Sequence, residues 1–291
     1  MPYATARDGT RLHYEEAGKG LPLIFVHEFS GDARSWEPQM RFFARRYRCI
    51  AFNARGYPPS DVPRARSKYS WRIAVDDIAD VLRHLHIRKA HVAGCSMGAY
   101  SALQFGLRYP AMALSVTSLA AGAGSDPATR EAFLHTTEAH ARLFESAGTA
   151  AALKQRGVAA ARIPQMLKDP RGFAEFRRIH QGHSGPGLAG VLRGVQAKRP
   201  PVYALERGLR NYRPPLLVVC GDEDDGSLGP ALFIKKVCRN ARLWVCPGTG
   251  HTVNTEEPEQ FNRNLLDFLT LVDGGRWRPR DPRSMPVVKG A

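Results

Sequence analysis

Three residues of this chain stand where acyl-transfer chemistry needs them. Ser96 lies in Gly94-Cys95-Ser96-Met97-Gly98, a G-x-S-x-G pentapeptide between a short apolar run at 90–93 and a helical pattern at 97–108. A turn that tight needs small flanking residues. It lifts the serine hydroxyl above the sheet and sets the free N–H groups of the next helix beneath it. A serine hydroxyl is a weak nucleophile until a base takes its proton. Of the ten histidines, His251 stands in a Gly-rich loop, Pro247-Gly248-Thr249-Gly250-His251, directly after the apolar run 241–246. The base in turn needs an orienting carboxylate. Four acids crowd Asp222-Glu223-Asp224-Asp225 after the run 216–220, and one of them is expected to face the histidine. Charge developing on a carbonyl oxygen calls for waiting backbone donors. The expected donors are the N–H of Met97, which follows the serine, and that of Phe29, in the loop His27-Glu28-Phe29-Ser30 after the run 21–26.

The elements that must hold these residues follow from the apolar pattern. Runs at 21–26, 48–52, 90–93, 113–121, 216–220 and 241–246 read as buried strands. Helical spacing at 36–46, 70–86, 97–108 and 258–272 alternates with them, which predicts an α/β architecture with a mostly parallel sheet covered by helices. Residues 126–208 break the alternation with helical patterns at 128–146, 149–160 and 171–181 and a Gly-rich stretch at 182–187. They read as a helical cap inserted between two strands. The division expected is therefore a core of 1–125 and 209–273, a cap of 126–208, and a basic extended tail of 274–291.

The chain has 291 residues, 43% hydrophobic and 24% charged, the composition of a folded globular protein rather than a disordered one. No apolar run approaches the roughly 20 residues that span a bilayer, and the first residues lack a signal peptide's apolar stretch, so a cytoplasmic location is expected. Cys49, Cys95, Cys220, Cys238 and Cys246 are odd in number and show no C-x-x-C spacing, which supports neither a disulfide framework nor a zinc site. A formal charge of +15 would suit an anionic partner, but the basic residues form no stripe, and no nucleic-acid or membrane partner is expected. A small-molecule substrate is the expected ligand, an anionic ester is compatible with the charge, and a homodimer is left open.

Taken together, the residues resemble the α/β-hydrolase-fold family, in its serine esterase form with an inserted helical cap. The match includes Asp8-Gly9-Thr10, His27-x-Phe29, Trp36, Asn53-Ala54-Arg55-Gly56-Tyr57, the pentapeptide at 94–98, Gly221-x-x-Asp224 and Gly250-His251 in the order Ser…Asp…His. The resemblance implies that Asp224 is the acid, with Asp225 as the alternative, and that hydrolysis proceeds through an acyl-enzyme with no metal and no organic cofactor. The family's usual Gly after His27 is replaced by Glu28, which is expected to pair with an arginine such as Arg55 or else to touch substrate. Ser96 at the nucleophile position argues against dehalogenases and epoxide hydrolases, which carry Asp there. Carbon–carbon hydrolases of aromatic degradation usually show Asn before the serine and Trp after the histidine, where this chain has Cys95 and Thr252. That activity, cofactor-free oxygen chemistry or perhydrolysis, and a triad-retaining ligand-binding protein remain the alternatives. In the cap, Phe173, Phe176, Ile179, His180, His183, Leu192 and Tyr203 are candidate pocket residues. Arg193, with Lys198 and Arg199, is a candidate anchor for a substrate carboxylate.

Overall fold

The computed structural model describes residues 2–284. Eight strands form one sheet: β1 (Tyr3–Thr5), β2 (Arg11–Ala17), β3 (Leu21–Val26), β4 (Tyr47–Phe52), β5 (Ala90–Cys95), β6 (Ala113–Leu119), β7 (Leu216–Gly221) and β8 (Ala241–Cys246), in the spatial order β1-β2-β4-β3-β5-β6-β7-β8. The first two strands pair antiparallel, β2 also runs antiparallel to β4, and all later pairs are parallel. The order turns back at β3, which lies between β4 and β5. Strands that diverge to opposite sides leave a crevice at their carboxyl ends, where ligands of open α/β sheets bind.

Helices α1 (Glu37–Phe43), α2 (Trp71–His84), α3 (Met97–Arg108), α4 (Arg130–Arg156), α5 (Ile163–Lys168), α6 (Pro170–Gln181), α7 (Gly185–Val191), α8 (Glu206–Arg210), α9 (Asp225–Val237), α10 (Val253–Glu256) and α11 (Pro258–Asp273) complete the fold. Alternate residues of β3 serve opposite faces. Leu23 and Phe25 join α1 and α11, where Phe25 stacks on Trp36 with ring centroids 4.9 Å apart. Ile24 and Val26 join Val75 and Ile78 of α2 and Leu103 of α3. With both faces covered, β5 and β7 are buried along their whole length, which is why they read as unbroken small or apolar runs.

The expected strands and core helices are present with ends within a few residues of those read from the sequence. Several elements were not anticipated. The β1–β2 hairpin is half polar and carries a weak strand signal. Helix α9 contains Pro230 yet holds, because Ala231 and Ile234 are anchored in the core. Between β6 and β7, the expected helices 128–146 and 149–160 are present as two helices within Arg130–Arg156 that meet across a kink at Gly148, with φ 74° and ψ 167°. The second stops short of 160, and α5 follows unannounced. Part of the Gly-rich stretch is helical, because Ser184 accepts from the Gly187 N–H and caps α7. The tail crosses the core: Trp277 packs on Phe268 at 4.8 Å and donates to the Asn240 carbonyl. The remainder of the tail, from residue 285, lies outside the described residues.

Arg55 does not meet Glu28. It donates to Asp77 at 2.8 and 2.6 Å and to Asp8 at 2.9 Å, tying the loop after β4 to α2. Burial works against the Arg55 charge, but the two carboxylates hold it on. Asp77 is 2% exposed, so Arg55→Ala strands a buried carboxylate and costs about 3–5 kcal/mol. The expected result is a lower urea midpoint at unchanged slope. The deficit narrows as pH falls, because the stranded carboxyl binds a proton more readily in the folded chain than in the unfolded one.

Candidate active site

Four loops at the carboxyl ends of the parallel strands converge. The link between β5 and α3 is a single residue, Ser96, held at φ 54° and ψ −110°. Its N–H donates to the Leu119 carbonyl at 2.7 Å. The turn closes only because of its glycines: a Cβ on Gly98 would lie 2.1 Å from the Val26 carbonyl oxygen. The loop after β7 supplies Asp224, and the loop after β8 supplies His251. Asp224 Oδ2 lies 2.7 Å from His251 Nδ1, and His251 Nε2 lies 2.8 Å from Ser96 Oγ. Ser96 and Asp224 are buried, while the His251 side chain keeps 17% exposure. Burial pushes the Asp224 carboxyl up, but His251, Ser227 and Arg162 outweigh it and hold it below the usual range. Asp224 is thus a carboxylate at neutral pH, and its partner Nδ1 carries a proton. The other acids of the cluster serve elsewhere. Asp222 accepts from the Thr249 N–H at 3.0 Å, and Asp225 opens α9 at its positive end.

The loop after β3 is set by His27. The Ala54 N–H donates to His27 Nε2 at 3.0 Å, so Nδ1 carries the proton and donates to the Glu28 carbonyl at 2.7 Å. In a trans peptide the N–H opposes the carbonyl, so the N–H of Phe29 is turned the other way. The Tyr57 hydroxyl donates to the Phe29 carbonyl at 2.8 Å and fixes the next peptide. Neither the Phe29 nor the Met97 N–H has a hydrogen-bond partner among the described residues.

The helical segment between β6 and β7 closes over this crevice. The short turn Ala160–Arg162 grips the histidine loop: the His251 N–H donates to the Ala161 carbonyl at 2.8 Å, and Arg162 donates to Thr252 Oγ1 at 2.8 Å. This approach requires Gly250, where a Cβ would lie 2.2 Å from the Ala161 oxygen. A cavity of about 390 Å³ lies between segment and sheet and is lined by Ser96, His251, Asp224, Glu28 and Phe29, with Phe133, Phe173, Phe176, Leu192 and Leu153 as its apolar wall.

Of the residues read as possible substrate contacts, Glu28 lines the cavity. Its partner is Arg162, at 3.6 Å, and Ser35 Oγ is 3.4 Å away. Both Glu28 and Arg162 are buried. His183 does not line the cavity. It packs edge-on against Tyr57 at 5.1 Å and so supports the loop one layer back, with its ring pushed down to about 4 by burial. Arg193 is spent on the outer surface against Glu138 at 2.9 Å and Glu145. Arg199 lies over the Tyr100 ring and donates to the Ala123 carbonyl. Tyr203 packs on Phe233, away from the cavity, and Ile179 faces a neighbouring cleft. Sequence reasoning missed Arg162 and Arg156, because an arginine in a polar helical segment looks like any solvated one. Among the described residues no cluster of His, Cys, Asp and Glu is suited to a metal ion, and no helix is long and apolar enough to cross a membrane.

Residues 23–264 match the model of the alpha/beta hydrolase family. The chain belongs to that family. It is 26% identical over 268 residues to the 2-(acetamidomethylene)succinate hydrolase of Mesorhizobium japonicum, covering 89% of this chain and 91% of that one. Among solved structures it is similar to the enol-lactonase of Burkholderia xenovorans, with a TM-score of 0.79 and 21% identity over 92% of this chain and 100% of the other. The malate-bound thermophilic esterase of Thermogutta terrifontis shares the fold with a TM-score of 0.80 and 23% identity, covering 93% and 98%.

The Glu28–Arg162 pair joins the family's sheet to the segment above it. Arg162→Ala leaves Glu28 buried without a counter-charge and is expected to lower the melting temperature. Adding Glu28→Gln to that variant restores part of the loss, because a neutral amide needs no counter-charge. Thermal melts of the two single variants and the double variant measure the coupling.

Proposed function

We propose that the protein is a serine hydrolase that cleaves an ester or related acyl bond of a small to medium substrate through an acyl-enzyme. What supports the reading is the unbroken chain from Asp224 through His251 to Ser96 Oγ at 2.7 and 2.8 Å, beside two unpartnered N–H groups. Ser96 Oγ attacks the substrate carbonyl while His251 Nε2 takes its proton, and Asp224 stabilises the imidazolium. The Phe29 and Met97 N–H groups receive the oxyanion. The carbon–oxygen bond to the leaving group then breaks, and the proton passes from His251 to the departing alkoxide. In the second half His251 takes a proton from water, the hydroxide oxygen bonds to the acyl carbon, the Ser96 ester bond breaks, and the proton returns to Oγ. No step calls for a metal or an organic cofactor.

Two further features fit this chemistry. The Glu28 charge beside the oxyanion loop would oppose an oxyanion, and Arg162 offsets it. The helical segment acts as a cap whose aromatic side chains exclude water from the acyl group. The Mesorhizobium japonicum relative, a hydrolase by name, agrees in reaction class.

Treatment with a fluorophosphonate probe is expected to give one adduct, on Ser96, lost in His251→Ala and detected by mass spectrometry of the intact protein. Turnover of p-nitrophenyl esters is expected to continue past the first acylation, and Ser96→Ala to lower kcat by roughly 10³-fold or more. Full activity in Ser96→Ala would overturn the mechanism. A burst that stalls after one equivalent would replace it with a ligand-binding role.

A further inference from the structure

Polar atoms buried in a folded protein are partnered, and each exception calls for an explanation. Four of the unpartnered buried side-chain atoms belong to residues that line the one cavity above Ser96: Glu28 Oε2, Arg156 Nε, His180 Nε2 and Gln196 Oε1. Arg156 is the decisive member, because it carries a charge and, unlike Glu28, has no counter-charge among the described residues.

Among the described residues, two of the three buried arginines, and the partly buried Arg193, have their counter-charges; the third, Arg199, has no carboxylate either but does not line this cavity. Arg55 has Asp8 and Asp77, Arg162 has Glu28, and Arg193 has Glu138 and Glu145. Arg156 has no carboxylate within ion-pair distance among the described residues. Its guanidinium lies 5.3 Å over the Phe144 ring, an apolar support that supplies no negative charge. The titratable neighbours within the cavity do not supply it either. Burial and the surrounding arginines push His180 down to about 2, and burial with Arg156 pushes His140 down to about 4, so both rings are neutral. The two acids of the lining are already engaged, Glu28 with Arg162 and Asp224 with His251. Arg177 of the same wall donates to the Gly157 carbonyl and adds further positive charge.

Resting on the hydrolase reading above, we propose that Arg156 is the anchor for a free carboxylate on the substrate, remote from the bond attacked by Ser96, so that the natural substrates are anionic esters such as half-esters of dicarboxylic acids. A planar guanidinium with an unused, shielded Nε–H offers a carboxylate two parallel hydrogen bonds. Gln196 Oε1, an acceptor without a donor, favours substrates that also carry a hydroxyl or N–H near that carboxylate. The neutral ester of the same length leaves the shielded Nε–H of the half-buried Arg156 unpartnered, so discrimination arises from the site's own cost as well as from the new bonds. The positions proposed from sequence, Arg193 and Arg199, do not line this cavity, and Arg193 is held by Glu138 and Glu145.

The test pairs monoethyl succinate, glutarate and adipate with ethyl butyrate, valerate and hexanoate, which replace the terminal carboxylate by a methyl group, and follows hydrolysis by pH-stat. The wild type is expected to favour at least one half-ester over its neutral partner by ten-fold or more in kcat/KM, with the preference shrinking as salt is raised. Arg156→Gln is expected to abolish the preference, and Arg156→Lys to recover part of it while serving as a fold control by circular dichroism. Calorimetric binding of adipate to Ser96→Ala, compared with Ser96→Ala/Arg156→Gln, reads the anchor without turnover. If neither ester is hydrolysed but adipate binds through Arg156, the hydrolase reading fails and the anchor stands. Equal kcat/KM for every pair, with no adipate binding to Ser96→Ala, overturns the anchor and leaves the hydrolase reading intact.

Discussion

A serine backbone at φ 54° and ψ −110° is the constraint on which the rest of the structure turns. Such a conformation costs a non-glycine residue on the order of 1–3 kcal/mol and persists only where its surroundings leave no alternative. Here β5 is buried along its whole length and α3 begins on the next residue, so the chain must reverse within Ser96. The glycines on either side interlock: a Cβ on Gly94 would lie 2.2 Å from the Gly98 oxygen. The strain thus aims the hydroxyl at the carboxyl ends of the strands and at the positive end of α3. It also sets the reach required of His251 and Asp224, which must arrive from the two loops after β7 and β8.

Around that point the fold manages charge at short range. Asp224 stays ionised in a buried site because His251, Ser227 and Arg162 offset its desolvation. Glu28, buried in the loop after β3, is tolerated because Arg162 faces it and because the Glu28 carbonyl, rather than its side chain, is what His27 holds. Arg162 also donates to Thr252, next to His251, so one guanidinium links the loop after β3, the loop after β8 and the helical segment above them. The position of the helical segment, the His251 loop and the charge of the loop after β3 are therefore coupled through a single side chain. Against this background Arg156 and Arg177, both in the cavity wall, are cations without a carboxylate partner among the described residues.

How much of this was legible beforehand varies with the kind of signal. Buried parallel strands announce themselves as apolar runs, and Leu21–Val26, Ala241–Cys246 and helix Met97–Arg108 have the bounds their patterns predict. The antiparallel strands at the end of the sheet do not: Arg11–Ala17 buries only two of its seven residues fully and shows no apolar run. Helix α9 is hidden by Gly226, Gly229 and Pro230, whose propensities are overruled by packing of Ala231 and Ile234 into the core. The helical segment was recognised as helical and its joint at Gly148 was legible as a glycine break, yet the grip of Ala160–Arg162 on the histidine loop has no local signature.

The same division holds for the site. The sequence by itself determined which serine stands at the strand-to-helix turn, because a G-x-S-x-G turn is a local steric demand, and it narrowed that serine's expected partners to one Gly-rich loop and one acidic loop. Which acid faces His251, which arginine answers Glu28, and which cationic side chains have no partner were decided only by the tertiary structure. Glu28 takes Arg162 rather than Arg55 because Asp8 and Asp77 already surround Arg55, and Arg193 is occupied by Glu138 and Glu145 on the outer face. The physical reason is that residue type fixes the sign of a charge, whereas its pairing depends on distance and burial, and both arise from segments far apart in the chain.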